Sequence, residues 1–248
     1  EVRVFSEVKS SYYFSKSHTQ WSEDGYLSQT SGGKIIGNMN VGGVIGSNFG
    51  DITETSTNTQ IIGGLIANES IGGLVGLNNG NISLSSSKGE VFVGEVSEVG
   101  GLVGLNQGSI IDAYSHSTVN SVGGLVGFNS SASSVSYTYS IGNVTGISSV
   151  GGLIGTNSGE VISSYWDVEN SSVSNSSGGI GYSTNEIQTE ANLIDWDFEI
   201  TWSIIESVND GYAEFLFSDV DGPVITVSPN GSSGELITST NPVITATD

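Results

Sequence analysis

His18 and His116 are the two imidazoles of the 248-residue chain. Neither has a glutamate at the spacing of a helical His-Glu-x-x-His zinc site. With no cysteine in the sequence, the thiolate zinc patterns fail as well. The other acid/base candidates are Asp51, Asp112 and Glu160, each within a few residues of a short Gly-x-Ile/Val segment. A sugar-cleaving pair would need two such carboxyls roughly 5 to 9.5 Å apart. Asp219 and Asp221, in SDVDGP, supply hard oxygens of the kind calcium takes. Calcium needs about six to eight oxygens, so these two read as a solvated linker, with a calcium-stiffened junction as the alternative. Tyr114, Tyr139 and Tyr165 could stack on sugar rings, and Thr53, Thr55, Thr57 and Thr59, with Ser83, Ser85 and Ser87 after them, have the alternation of an ice-binding face. Asn68, Asn81, Asn129, Asn143, Asn170, Asn175 and Asn230 head Asn-x-Ser/Thr sequons, which suggest a secreted glycoprotein, although a chain so rich in Asn and Ser shows several by composition alone. Whether any of these groups meet depends on the elements that carry them.

Charge narrows the classes first. Acidic residues number 26 against 5 Lys plus Arg, a formal net charge of −21. Such a surface repels phosphate backbones and anionic membranes, which argues against nucleic-acid binding. No run approaches the roughly 18 continuous apolar residues of a spanning helix, so direct membrane insertion is not expected. Glycine is abundant, with 36 residues against 3 prolines. That composition fits neither collagen nor a proline-rich linker and points to turns in a β-rich fold.

A repeat organises the chain. GGVIGSN (42–48), GGLVGLN (72–78), GGLVGLN (100–106), GGLVGFN (123–129) and GGLIGTN (151–157) are five versions of one anchor, with starts 30, 28, 23 and 28 residues apart. Periods of this length stack as solenoid coils. GGLIAN at 63–68 reads as a degenerate sixth copy. Each anchor leads to a Gly-x-Ile/Val segment, replaced by Ser134-Val135 in the fourth coil, and then to a third segment such as KGEVFVG at 88–94 or IGNVTG at 141–146. Three short segments separated by Gly, Asn and Ser predict strands joined by turns, and the alternation in DITETSTNT (51–59) favours strand over helix.

Stacking turns sequence positions into columns about 4.8 Å apart. Ile52, Ile82, Ile110, Val135 and Val161 form one aliphatic column, and Val44, Leu74, Leu102, Leu125 and Leu153 a second; together they are the predicted core. Asn48, Asn78, Asn106, Asn129 and Asn157 fall in a column where side-chain amides can bond from coil to coil. The paired glycines serve a positive φ or a close backbone approach; with no helix pattern and no Lys after GGLVG, a phosphate loop is not indicated. Asp51 and Glu160 share a column but lie four coils apart, about 19 Å, and Asp112 joins neither. A polysaccharide-active β-helix enzyme is thus the weaker reading. The tyrosines align on successive coils as a ladder, with a sugar-stacking strip as the rival.

These motifs resemble the GLUG-type repeats of bacterial and archaeal cell-surface proteins, including haemagglutinin-like adhesins. The likeness runs over about 42–217: after the anchors, SYWDVENSS (164–172), GGIGYSTNEIQ (178–188) and WDFEITWSI (196–204) resemble the segment that closes such arrays, although GYAEFLF at 211–217 departs from its usual ending. The resulting expectation is an all-β solenoid of about five to six coils. Its parts would be an N-terminal cap at 1–41, the repeats at 42–177 and a closing segment at 178–217. Residues 218–248 would be a linker and the first strands of an immunoglobulin-like module. The resemblance implies a non-catalytic extracellular stalk or filament subunit without a cofactor. Its partners would be other surface-protein copies or glycans, with homopolymerisation by strand addition from the C-terminal strands as one mode.

Overall fold

The computed structural model describes residues 18–21, 27–37, 39–63, 70–94, 98–216, 224–228 and 243–247, with side chains over the portion between 34 and 216. The chain divides into two compact units, Glu1–Trp196 and Asp197–Asp248. That boundary falls inside the stretch 178–217 that the sequence groups as one closing segment.

The first unit is a parallel β-solenoid. Strands Ile45–Asn48, Val75–Asn78, Val103–Asn106, Val126–Asn129 and Ile154–Asn157 stack as one five-stranded sheet, each anchor on the next, spanning about four turns. The count falls short of the five to six coils expected, because the degenerate copy adds no anchor strand. Gly63 of the degenerate copy ends strand Ser56–Gly63 of a different sheet, while 64–69 lie outside the described residues.

Each coil runs from its anchor strand through an Asn-x-Gly turn, replaced by residues 129–134 in the fourth, into an eleven-stranded sheet, and short strands such as Val41–Gly42, Ser70–Gly72 and Glu98–Gly100 form a third sheet. Both predicted aliphatic columns are in register. Ile52, Ile82, Ile110, Val135 and Val161 pair in sequence, and backbone bonds link Val44 to Leu74, Leu102, Leu125 and Leu153 in turn. All of these are buried except Val44 and Val161, which pack partly exposed against the first and last coils.

The interior has two lobes. One holds those columns; the other is built from Val41, Ile61, Ile71, Val91, Val99, Val119, Val122 and Val144. Between them the paired glycines reach across the coil to a hydroxyl column. Thr57, Ser87 and Ser140 donate to the carbonyls of Gly73, Gly101 and Gly152 at 3.1, 2.7 and 2.6 Å. No anchor glycine needs a positive φ; close approach is their role. A Cβ on Gly101 would strike the Gly124 carbonyl and the Ser115 hydroxyl, so no larger residue fits.

Two features close the ends of the eleven-stranded sheet. At the start, Leu27–Gly37 pairs parallel with Ser56–Gly63, and His18–Trp21 pairs antiparallel with Leu27–Gly37, ending the parallel run. At the finish, Trp166 in strand Tyr165–Asp167 takes the place of the column serine, its indole where a Cβ on Gly152 would sit, and Ile180–Tyr182 adds parallel to that strand as the last of the sheet. Residues 175–177 then bond to Gly152, Ile154 and Gly155.

The second unit contains the antiparallel pair Trp202–Ile204 with Ala213–Phe215, where the Trp202 and Phe215 rings lie 4.6 Å apart. It also contains a hairpin of Val224–Ser228 with Val243–Thr247. Among the described residues helix is confined to Thr184–Ile187 and short 3-10 turns.

Candidate functional site

The asparagine column is a continuous ladder. Asn48, Asn78, Asn106 and Asn129 each donate through Nδ2 to the Oδ1 of the next, at 2.8, 2.9, 2.9 and 2.9 Å. The other valences close locally: Nδ2 of Asn78 also reaches the Gly80 carbonyl, and its Oδ1 accepts from the Gly80 amide. In the fourth coil, where two extra residues enter the turn, the Ser133 hydroxyl supplies that donor at 2.6 Å. Every valence of the buried amide is met, which is the condition for burying it. This disposes of Asn129 as a glycan acceptor, because it is fully buried and its amide nitrogen is engaged. Asn81 donates to Asp51, and Asn170 to Asp167. Asn143 and Asn175 are exposed, and their side chains bond to no described residue. Asn68 and Asn230 lie outside the described residues.

Tyr114, Tyr139 and Tyr165 occupy one column, as the spacing requires. They form a structural ladder and no exposed strip: each is at most 3% exposed. Tyr114 and Tyr139 stack at 5.0 Å, Tyr165 stacks on Tyr182 at 5.0 Å, and Trp196 covers Tyr139 and Tyr165 at 6.2 and 6.1 Å. The Trp196 indole donates to the Ser163 carbonyl at 2.8 Å, and the Ile194 amide donates to the Tyr165 hydroxyl at 3.0 Å, which fastens the cover. Burial pushes the Tyr165 phenol above its usual range.

His116 joins the same cluster, 5.0 Å from the Tyr114 ring and with Nε2 3.1 Å from the Tyr139 hydroxyl. Burial first, and then the Lys88 ammonium, push it down to about 3. It is a neutral packing residue at physiological pH. His18 lies in strand His18–Trp21.

The acids do not converge. Asp51, Asn81, Ser109, Ser134 and Glu160 follow one another in register, so the two carboxylates stand four strand steps apart, about 19 Å. Among the described residues no group of three or more His, Asp or Glu is placed to hold a metal ion. Asp219 and Asp221 lie outside the described residues. The threonine array also resolves: Thr55, Thr57 and Thr59 are buried, so they point into the solenoid and present no face to ice. Only Thr53 of that set is outward, bonded to Ser83 at 3.1 Å.

Three features were missed at the sequence level. Glu54, Leu84, Asp112, Tyr137 and Ser163 each adopt φ between 39° and 52°, a left-handed corner repeated in every coil. The small residue that follows turns inward, and in Thr55, Ser85 and Ser164 its hydroxyl donates to the carbonyl two residues back at 2.8, 2.6 and 2.7 Å. Asp167, fully buried, accepts from the amides of Glu169 and Asn170 and from the Thr184 hydroxyl, tying the closing segment to the last coil. Trp196, the cover on the tyrosine column, is the third. The succession SYWD signalled a closing device without saying which atoms perform it.

Comparison of the chain with protein-family models, with curated proteins and with solved structures found no match.

Proposed function

We propose that the chain is a non-catalytic structural or adhesive module of a cell surface, a stiff stalk or a filament subunit of the GLUG-repeat kind. The supporting observation is the use to which the polar columns are put. Amide, hydroxyl and tyrosine columns are all engaged in holding coil to coil, and the acids that could do chemistry stand about 19 Å apart. A surface of net charge −21 suits a solvated exterior exposed to other copies or to glycans. Among the described residues no helix is long and apolar enough to cross a membrane.

On this reading residues 218–248 open an immunoglobulin-like module in a longer stalk. Alternatively, the outer edges of the hairpin Val224–Ser228 and Val243–Thr247 add to a neighbouring copy. Immunogold electron microscopy of the native cells tests the reading, with antibody raised against the solenoid. Label on external rods or filaments is the expected result; label confined to the cell interior would overturn it.

A further inference from the structure

Five sequons lie among the described residues, headed by Asn81, Asn129, Asn143, Asn170 and Asn175. Sugar transfer to an Asn-x-Ser/Thr acceptor on a folded chain asks for two things: a free carboxamide nitrogen, and a free hydroxyl two residues on, presented beside it. The structure sorts the five on those terms. Asn129 is fully buried, its nitrogen committed to Asn157 at 2.9 Å. Asn81 donates to Asp51 at 2.7 Å, and the hydroxyl of its sequon, on Ser83, donates to Thr53 at 3.1 Å. Asn170 donates to Asp167 at 2.8 Å and to the Thr184 hydroxyl at 3.2 Å, within the network that fastens the closing segment. The Asn175 side chain is exposed and bonds to no described residue, but the hydroxyl of its sequon, on Ser177, donates to the Gly155 carbonyl at 2.6 Å.

Asn143-Val144-Thr145 meets both requirements. Its middle residue is the buried one: Val144 belongs to the second lobe of the core, and its amide donates to the Ser171 carbonyl at 3.0 Å. Towards the preceding coil, the Asn143 carbonyl accepts from the Val119 amide at 2.9 Å, and the Thr145 amide donates to the Val119 carbonyl at 2.8 Å. The tripeptide is thus held by its backbone and its valine. Alternation along this bridged segment puts Asn143 and Thr145 together on the outward face. Both are exposed, and neither side chain bonds to a described residue.

We propose that Asn143 is the residue of these five that carries an N-linked glycan, attached to the folded chain. In the step, Asn143 Nδ2 bonds to C1 of a sugar held on a lipid-linked phosphate donor. The bond from C1 to the phosphate oxygen breaks, the lipid phosphate leaves, and Nδ2 passes one proton to a base of the membrane transferase. No hydrogen bond of the solenoid has to break, because Asn143 is engaged through its backbone alone. At Asn81, Asn129 or Asn170 the same transfer sacrifices a side-chain hydrogen bond, and at Asn129 it cuts the ladder. The inference rests on the surface location proposed above, since sequon glycosylation belongs to secreted chains.

The test is peptide mass spectrometry of the native protein, recovered separately from the surface and the interior of its source cells, beside variants expressed in the same cells. The expected result is a glycan mass on the peptide that bears Asn143, with Asn81, Asn129, Asn170 and Asn175 bare. Asn143→Gln and Thr145→Val each lose that mass and Thr145→Ser keeps it, while thermal melting verifies that each variant is folded. A surface-exposed chain bare at Asn143, or modified at any of the other four, would overturn this inference and leave the surface reading standing. Recovery of the chain from the cell interior alone would overturn both.

Discussion

The anchor side of each coil and its third corner are built on opposite terms. On the anchor side, glycine backbones touch the coil above and asparagine amides run through the stack, so every coil must meet its neighbours at the same atoms. Here the spacing from anchor Asn to the next aliphatic is held at four residues in every coil but the fourth, where Ser133 restores the missing donor. At the third corner, between the column Ile61, Val91, Val119, Val144 and the first anchor glycine of the next coil, the links range from 120–122 to 62–71. Length is conserved within this molecule where buried polar groups demand partners, and it drifts at the third corner, where residues 145–149 face water.

The largest effect is expected from Leu125→Asp, which buries a carboxylate between Leu102 and Leu153 at a fully buried position. An unpartnered charge there costs more than about 4 kcal/mol, and circular dichroism should show no cooperative melt. A wild-type melt would refute the column assignment.

Next is Asn106→Leu. It leaves Asn78 Nδ2 and Asn129 Oδ1 each short of a partner, along with the Gly108 amide and carbonyl. A loss of about 3 kcal/mol follows from orphaned buried groups, measurable by urea denaturation. A change below about 1 kcal/mol would show that water can replace the ladder.

His116 gives a smaller, pH-dependent term. Its folded value of about 3 lies below the ordinary 6.5, so the fold requires the neutral form. That contribution is fully present above pH 6.5 and is lost as pH falls from there towards 3. Relative to His116→Gln, the wild type should lose at most about 1.4 kcal/mol per pH unit over that window. Parallel stability curves for the two proteins would mean that His116 is hydrated in the fold.

Smallest is a Gly-Ser insertion into 145–150. Lengthening a solvent-facing loop costs well under about 1 kcal/mol, while the same insertion within GGLVG should prevent folding. Similar urea midpoints for the two insertions would erase the contrast between the regions.

Much of the solenoid was legible because its repeating columns repeat a residue type. Ile or Val recurs after each turn, Leu or Val after each glycine pair and Asn at each anchor's end, so stacking follows from spacing. The left-handed corner was not legible, because Glu54, Leu84, Asp112, Tyr137 and Ser163 have no side-chain chemistry in common and the constraint lies in the backbone. The inward turn of Thr55, Thr57 and Thr59 depends on that corner, which is why alternation alone suggested an exposed face. Trp196 was invisible for another reason: it covers the tyrosine column from outside the repeat, and no period points to it.

The central claim is that each anchor makes one turn and stacks in register on the next. Because the chain has no cysteine, engineered pairs report this cleanly. Ser109 and Ser134 are register partners with hydroxyls 3.2 Å apart, whereas Asn81 and Ser134 are separated by the intervening strand, about 9.6 Å. Disulfides close only when the Cα atoms lie within about 7 Å. Mild oxidation should therefore cross-link Ser109→Cys/Ser134→Cys within the monomer and leave Asn81→Cys/Ser134→Cys as free thiols; a cross-link in the second pair, or none in the first, would contradict the stacked register.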